Sequence, residues 1–243
     1  PLAQTQWARA VLPIVGCEVP SGFISIAFTS QDLLAKSSLT VDVPFAISSD
    51  YVLVTNGPEL VVLAMSEAHT ERISHNSLML QVTWTEHWQK VKQPTPELRQ
   101  LAAQAQLVNA VILSALMSGA ADKTVELSLD YAQQRMQFGR QIGRFQAVQA
   151  LLAQLAQRQE TMSMAVQLGC YGSTLFVQEN MAFVAASRSS EAAPLIADFS
   201  HAVHGAIGIT QECALHLYTR ALREWRLALG ADFYWEKRLG QQL

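Results

Sequence analysis

Residues 135–149, RMQFGRQIGRFQAVQ, gather three arginines and two phenylalanines around Gly139 and Gly143, between two long helical patterns. An arginine guanidinium presents a planar fork of donors that matches phosphate oxygens. The unsatisfied amides at the start of a following helix add partial positive charge. With Arg135 and Phe138 at the end of one helix and Gln146 opening the next, the corner has the chemistry to grip something anionic and planar. Taken alone it also has a plainer reading, Arg135 as a helix C-terminal cap and Phe138 as core.

A second glycine-bearing corner, HAVHGAIGIT at 201–210, places Gly205 and Gly208 between two helical patterns, where the backbone can approach a ligand closely. His201 and His204 lie three apart, but no third ligand accompanies them and no metal is expected. Glu224, Asp232 and Glu236 are the acids near the end of the last long helix. Glu224 reads as an ordinary i, i+4 surface partner; Asp232 and Glu236 are candidates for a general base, which requires a carboxylate in dry surroundings.

The elements that must position these corners are legible in outline. Leu2, Trp7, Val11 and Leu12 have near-helical spacing up to Pro13 and Gly16, so 1–20 reads as the tail of a helical region. From 21 to 93 short β-branched and aromatic runs, FISIAF, LTVDV, DYVLVTN, LVVLAM and LMLQVTW, alternate with turn formers such as Asn56-Gly57-Pro58 and His75-Asn76. They predict a small antiparallel β domain of five or six strands. Thr95-Pro96-Glu97 opens a long helix, and 94–243 reads as an antiparallel four-helix bundle. Its second helix should run to about Gln178, its third over about 181–204 with Pro194 kinking or dividing it, and its last from near Thr210 to a C-cap at Gly230. The fold class is therefore α+β.

Half the residues are hydrophobic and only 15% are charged, which implies extensive buried surface, some of it shared with other subunits. A net charge of -3 without a basic run argues against nucleic acid. Cys17, Cys170 and Cys213 form no framework and fit a reducing, cytoplasmic setting. The apolar run 107–121 is interrupted by Asn109, Ser114 and Ser118 and reads as a core helix rather than a membrane span. The chain opens at Pro1 with no basic leader and reads as a fragment.

YAQQRMQFGRQIGRFQAVQ resembles the Arg-x-x-Phe-Gly...Phe-Gln signature of acyl-CoA dehydrogenases, and HAVHGAIGIT resembles their Gln-x-x-Gly-Gly-x-Gly corner. The resemblance is strong over about 95–243 and loose over 1–94, with most of the family's N-terminal helical domain absent. It implies an FAD-dependent α,β-dehydrogenation of an acyl-CoA thioester, electron-transfer flavoprotein as electron acceptor, and a homo- or hetero-oligomer in which one subunit's corners hold the ADP half of its neighbour's FAD. Arg135 would then pair with the pyrophosphate, Phe138 pack beside the cofactor, Gln146 hydrogen-bond to it, and Gly205 leave room for it. SIAFTSQD resembles the family's flavin-side strand end, with Thr29 retained, and VTNG resembles a flavin-side motif that an Asn-Gly hairpin turn explains equally well.

Two departures bear on activity. The family's catalytic glutamate, just before a glycine beyond the last long helix, aligns with Leu229; its alternative place on the first bundle helix aligns with Asn109 and Ala110. Ala202 and Ala206 stand where the second corner normally has glutamine and glycine. Three readings follow: a subunit that completes a catalytic partner's FAD site, an active homo-oligomer whose base is Asp232 or Glu236, and a structural bundle without flavin.

Overall fold

The structure, a computed structural model, describes every residue except Lys36, 74–76, Leu78, 92–94, Ser173, Ala231 and Leu243. The expected His75-Asn76 turn and the expected boundary near 93 lie outside the described residues. Two compact units emerge, Pro1–Ile112 with Gly172–Val177, and Leu113–Tyr171 with Gln178–Leu243.

The first unit opens with α1 (Leu2–Val11), which buries Trp7, Ala8 and Val11 at helical spacing. Leu2, included in that spacing, is exposed. Six strands follow: β1 (Ile24–Phe28), β2 (Leu39–Val43), β3 (Tyr51–Thr55), β4 (Leu60–Ala64), β5 (His69–Arg72) and β6 (Leu80–Trp84). They form two three-stranded sheets, β1-β3-β4 and β2-β6-β5. Val52 and Val54 of β3 face a core shared with β2 and β6, while Leu53 between them faces a core built with α1 and the start of the next helix. Burial on both faces is why this strand is continuously apolar rather than alternating.

Three of the four pairings are antiparallel, but β1 and β3 run parallel, Ile24 opposite Tyr51. An all-antiparallel domain was expected; the long connection over 29–50 gives the crossover that a parallel pair needs. β5 was not anticipated, because HTER is exposed throughout and carries no apolar alternation. The β3–β4 turn also differs from an Asn-Gly type I′ turn. Asn56 and Glu59 flank it, bonded by Glu59 N to Asn56 Oδ1 at 2.9 Å, and its centre is Gly57-Pro58 with Gly57 at φ 102, as a leading glycine in a II′ turn requires.

The helix α2 (Pro96–Gln134) begins under Thr95, whose Oγ1 accepts Leu98 N at 3.2 Å. By length and composition α2 could cross a membrane, yet 72% of its most apolar window is buried within the protein, the signature of a core helix. Its buried Thr124 and Ser128 donate to the carbonyls four residues earlier, so their hydroxyls are satisfied.

In the second unit a short hairpin, β7 (Met136–Gln137) with β8 (Arg140–Gln141), leads to α3 (Gln146–Gly169). The helix stops well before Gln178: Gly172 has φ 138, outside the helical region, and the apolar Leu175 to Val177 belong to the first unit, where Leu175 O accepts Trp7 Nε1. Next comes α4 (Glu179–His204), which packs on α3 and on two later helices, α5 (Leu215–Leu229) and α6 (Asp232–Gly240). Pro194 does not divide α4. The last long helix begins at Leu215 and not near Thr210, because the chain first makes a 3-10 turn over 205–209. Beyond Gly230, α6 anchors through Trp235, which is 2% exposed, lies 5.9 Å from the Phe183 ring and donates Nε1–H to Leu229 O. Nine residues after a glycine stop give too short a pattern to predict as a helix.

Candidate functional site

The first corner is built on the last turn of α2. Arg135 N donates to Tyr131 O and Ile142 N to Arg135 O, both at 2.9 Å, which folds the hairpin back beside the helix end. At its tip Phe138 and Gly139 both have positive φ, 51 and 78, as a type I′ turn demands. A phenylalanine in that conformation is uncommon and costs free energy on the order of 1 kcal/mol or more. Phe138 is 91% exposed, with its ring edge to face against Phe145 at 6.1 Å, so it is not core. Arg140 lies 4.1 Å over the Phe145 ring. Gly143 packs closely on the end of α2: a Cβ there would stand 3.0 Å from Ala132 O, a tight contact with backbone.

Arg135 is exposed and joins no ion pair among the described residues. Gln146 is the first residue of α3, whose N-cap, Phe145, offers no side-chain acceptor to the first-turn amides. A free guanidinium and an open helix N-terminus thus share one corner. The plain helix-cap reading does not account for either.

The second corner leaves α4 at Gly205, with φ 65 and ψ -145, a region that only glycine adopts without strain. Open space surrounds Gly205, whereas a Cβ on Gly208 would come within 2.9 Å of His204 Cβ and 3.1 Å of His201 Nδ1. His201 Nε2 is 3.0 Å from Thr219 Oγ1, and His204 Nδ1 is 2.9 Å from Ser200 O. Burial lowers the pKa of both imidazoles, at His201 with the help of the Arg223 cation. The structure brings the two corners together in one unit through the stacked rings of Tyr131 and His204. His204 stands out in the sequence as a member of the second corner, directly before Gly205; Tyr131, four residues before Arg135, carries no such signal.

Thr29 belongs to the first unit. It is buried just beyond β1, its backbone N–H held by Thr55 O at 3.0 Å and its Oγ1 accepting Gln31 N at 3.1 Å, which leaves the hydroxyl proton to donate elsewhere.

Asn109 and Leu229, where the family resemblance would put a base, serve other contacts. Asn109 is buried and accepts a hydrogen bond from Gln4 at 2.9 Å. Leu229 is buried and its carbonyl accepts from Trp235, while Gly230 O accepts from Ser190 Oγ at 2.8 Å. Asp232, half-exposed, lies 3.4 Å from Arg226; Glu236 is exposed and 3.5 Å from Ser187 Oγ; Glu224 lies 4.0 Å from Arg220. Neither Asp232 nor Glu236 is enclosed in the dry pocket that a general base needs.

Comparison with known proteins places this geometry. Acyl-CoA dehydrogenase IpdE2 of Mycobacterium tuberculosis is 36% identical over 109 residues, 45% of this chain and 33% of that protein, so the match spans about a third of the relative's length. The ChsE4-ChsE5 complex from Mycobacterium tuberculosis superposes with a TM-score of 0.76 at 16% identity, over 99% of this chain and 73% of that one. PigA, in a structure with FAD and proline, superposes with a TM-score of 0.68 at 15% identity, over 93% of this chain and 65% of that one. The family profile "Acyl-CoA dehydrogenase, C-terminal domain" matches residues 100–234, more than half of the sequence and both glycine corners; the chain belongs to the acyl-CoA dehydrogenase family.

Proposed function

We propose that this chain is an FAD-binding acyl-CoA dehydrogenase subunit that lacks its own catalytic glutamate and completes the FAD site of a partner subunit. The observation that carries the reading is the exposed, unpaired Arg135 guanidinium at the same corner as the open N-terminus of α3. Those groups fit a dinucleotide pyrophosphate: Arg135 supplies charge-assisted donors, the first-turn amides of α3 add theirs, and the Gln146 side chain provides a further polar contact. The exposed Phe138 ring supplies a flat apolar surface beside them, and Gly205 leaves its side of the second corner open. Thr29 offers a hydroxyl donor on the β side. When bound, the flavin accepts the hydride that leaves the β carbon of an acyl-CoA thioester.

This chain's own residues bind and orient; none described is a positioned base. The α proton would then be removed by a carboxylate of the partner, with electrons passing on to electron-transfer flavoprotein. The two-chain composition of the similar ChsE4-ChsE5 complex supports an assembly of unlike chains. Three free cysteines suit a reducing, cytoplasmic compartment.

The test is flavin absorbance of the chain purified with a glutamate-bearing family partner. Arg135→Ala should weaken flavin retention by about ten- to a hundredfold, the loss of one charge-assisted pair worth roughly 1.5–3 kcal/mol. Unchanged flavin content in the assembled variant would refute the assignment.

A further inference from the structure

Each glycine corner rests on the last turn of a helix. On α2 that turn holds the hairpin through Arg135 N to Tyr131 O, and Gly143 lies tightly against it, where an added Cβ would stand 3.0 Å from Ala132 O. On α4 the 3-10 corner is pressed against His204, where Gly208 has no room for a Cβ. The two supporting residues face each other: the Tyr131 and His204 rings stack with centroids 4.6 Å apart and planes 18° from parallel. His204 is 5% exposed, and since a carbonyl can only accept, its Nδ1–H donates to Ser200 O and fixes the ring plane against its own helix. Neither ring can turn without disturbing the other, and each is one turn or less from a corner.

We infer that the Tyr131–His204 stack is the positioning element that sets the separation of the two glycine corners, so that loosening one corner loosens the other. The relevance to cofactor binding rests on the function proposed above, but the mechanical coupling does not. A stack of this kind holds its partners by an amount equivalent to a roughly two- to tenfold change in an opening equilibrium.

Hydrogen exchange on the full chain without cofactor tests it. His204→Leu keeps bulk and removes the ring; exchange should rise about two- to tenfold at 205–210 and also at 135–142, in the other corner. His204→Phe, which restores a ring, should return 135–142 to slow exchange while a mere filler would not. The reciprocal pair, Tyr131→Leu and Tyr131→Phe, should do the same at 205–210 and serves if the His204 variants do not fold. Leu222→Ala, a buried core change on α5, controls for general loosening. Faster exchange confined to the mutated corner, or equal loosening of 135–142 by Leu222→Ala, would overturn the inference. Flavin retention by the loaded assembly is a separate readout. If the corners prove coupled but Arg135→Ala leaves flavin content unchanged, the coupling stands and the cofactor reading fails.

Discussion

Arg226 Nε donates to the Ser190 carbonyl oxygen at 2.8 Å, the very oxygen that Pro194, lacking an N–H four residues later, leaves without an intrahelical donor. A proline inside a helix usually breaks it because that hydrogen bond is lost and its ring crowds the preceding turn. Here the neighbouring helix replaces the donor, and α4 continues through 26 residues. The same arginine reaches Asp232 at 3.4 Å, and Ser190 Oγ donates to Gly230 O, so one knot fastens α4, α5 and the start of α6.

Arg226→Ala should therefore destabilise the protein by about 1–3 kcal/mol, the cost of orphaning a buried carbonyl. Adding Pro194→Ala, which returns the N–H, should recover part of that loss in a double-mutant cycle of denaturant unfolding. Strictly additive effects would show that the arginine does not serve the proline-freed carbonyl.

The two glycines of the second corner should fail for different reasons. Gly208→Ala forces backbone movement against His204 and should cost about 1–3 kcal/mol as overpacking. Gly205→Ala meets open space, so its cost, also about 1–3 kcal/mol, is conformational strain at φ 65 and ψ -145. Deleting the His201 side chain should relieve part of the first penalty and none of the second, as thermal unfolding midpoints would reveal.

Acid should weaken the second unit. Burial holds His201 and His204 below their ordinary pKa of 6.5, and at His201 Arg223, His204 and His216 reinforce this against the opposing Asp198. The unfolded chain then binds more protons than the folded one once pH falls below 6.5, so stability is lost on acidification through that value and is flat above it. Unfolding midpoints should drop between pH 7.5 and 5.5, and His204→Gln should shallow the slope. A midpoint that rises on acidification would contradict the assignment.

Much of the architecture could be read from residue order. Thr95-Pro96-Glu97 marked the start of α2, the apolar runs marked five strands, and Gly230 marked the end of α5. What escaped depended on tertiary partners. Arg226 lies 32 positions beyond Pro194, so nothing local announced that α4 would survive its proline. β5 has no buried face, and α6 is held mainly by Trp235 against Phe183, a contact across more than fifty residues. At the candidate site Arg135, Phe138 and Gln146 could be proposed from residue order because their spacing and residue types are local. The Tyr131–His204 stack was not, because it joins two helix ends that are distant in sequence.

The central claim is that the chain carries a cofactor grip without a base, with Leu229 and Asn109 where a carboxylate is needed. General-base loss typically costs on the order of a hundred- to ten-thousandfold in rate. The most direct measurement is acyl-CoA-dependent reduction of a flavin electron acceptor by the full-length chain, first alone and then with a family partner that carries the glutamate. The account predicts little or no turnover alone and restored turnover in the mixed assembly. Robust turnover by the pure homo-oligomer, abolished by alanine at Asp232 or Glu236, would contradict it.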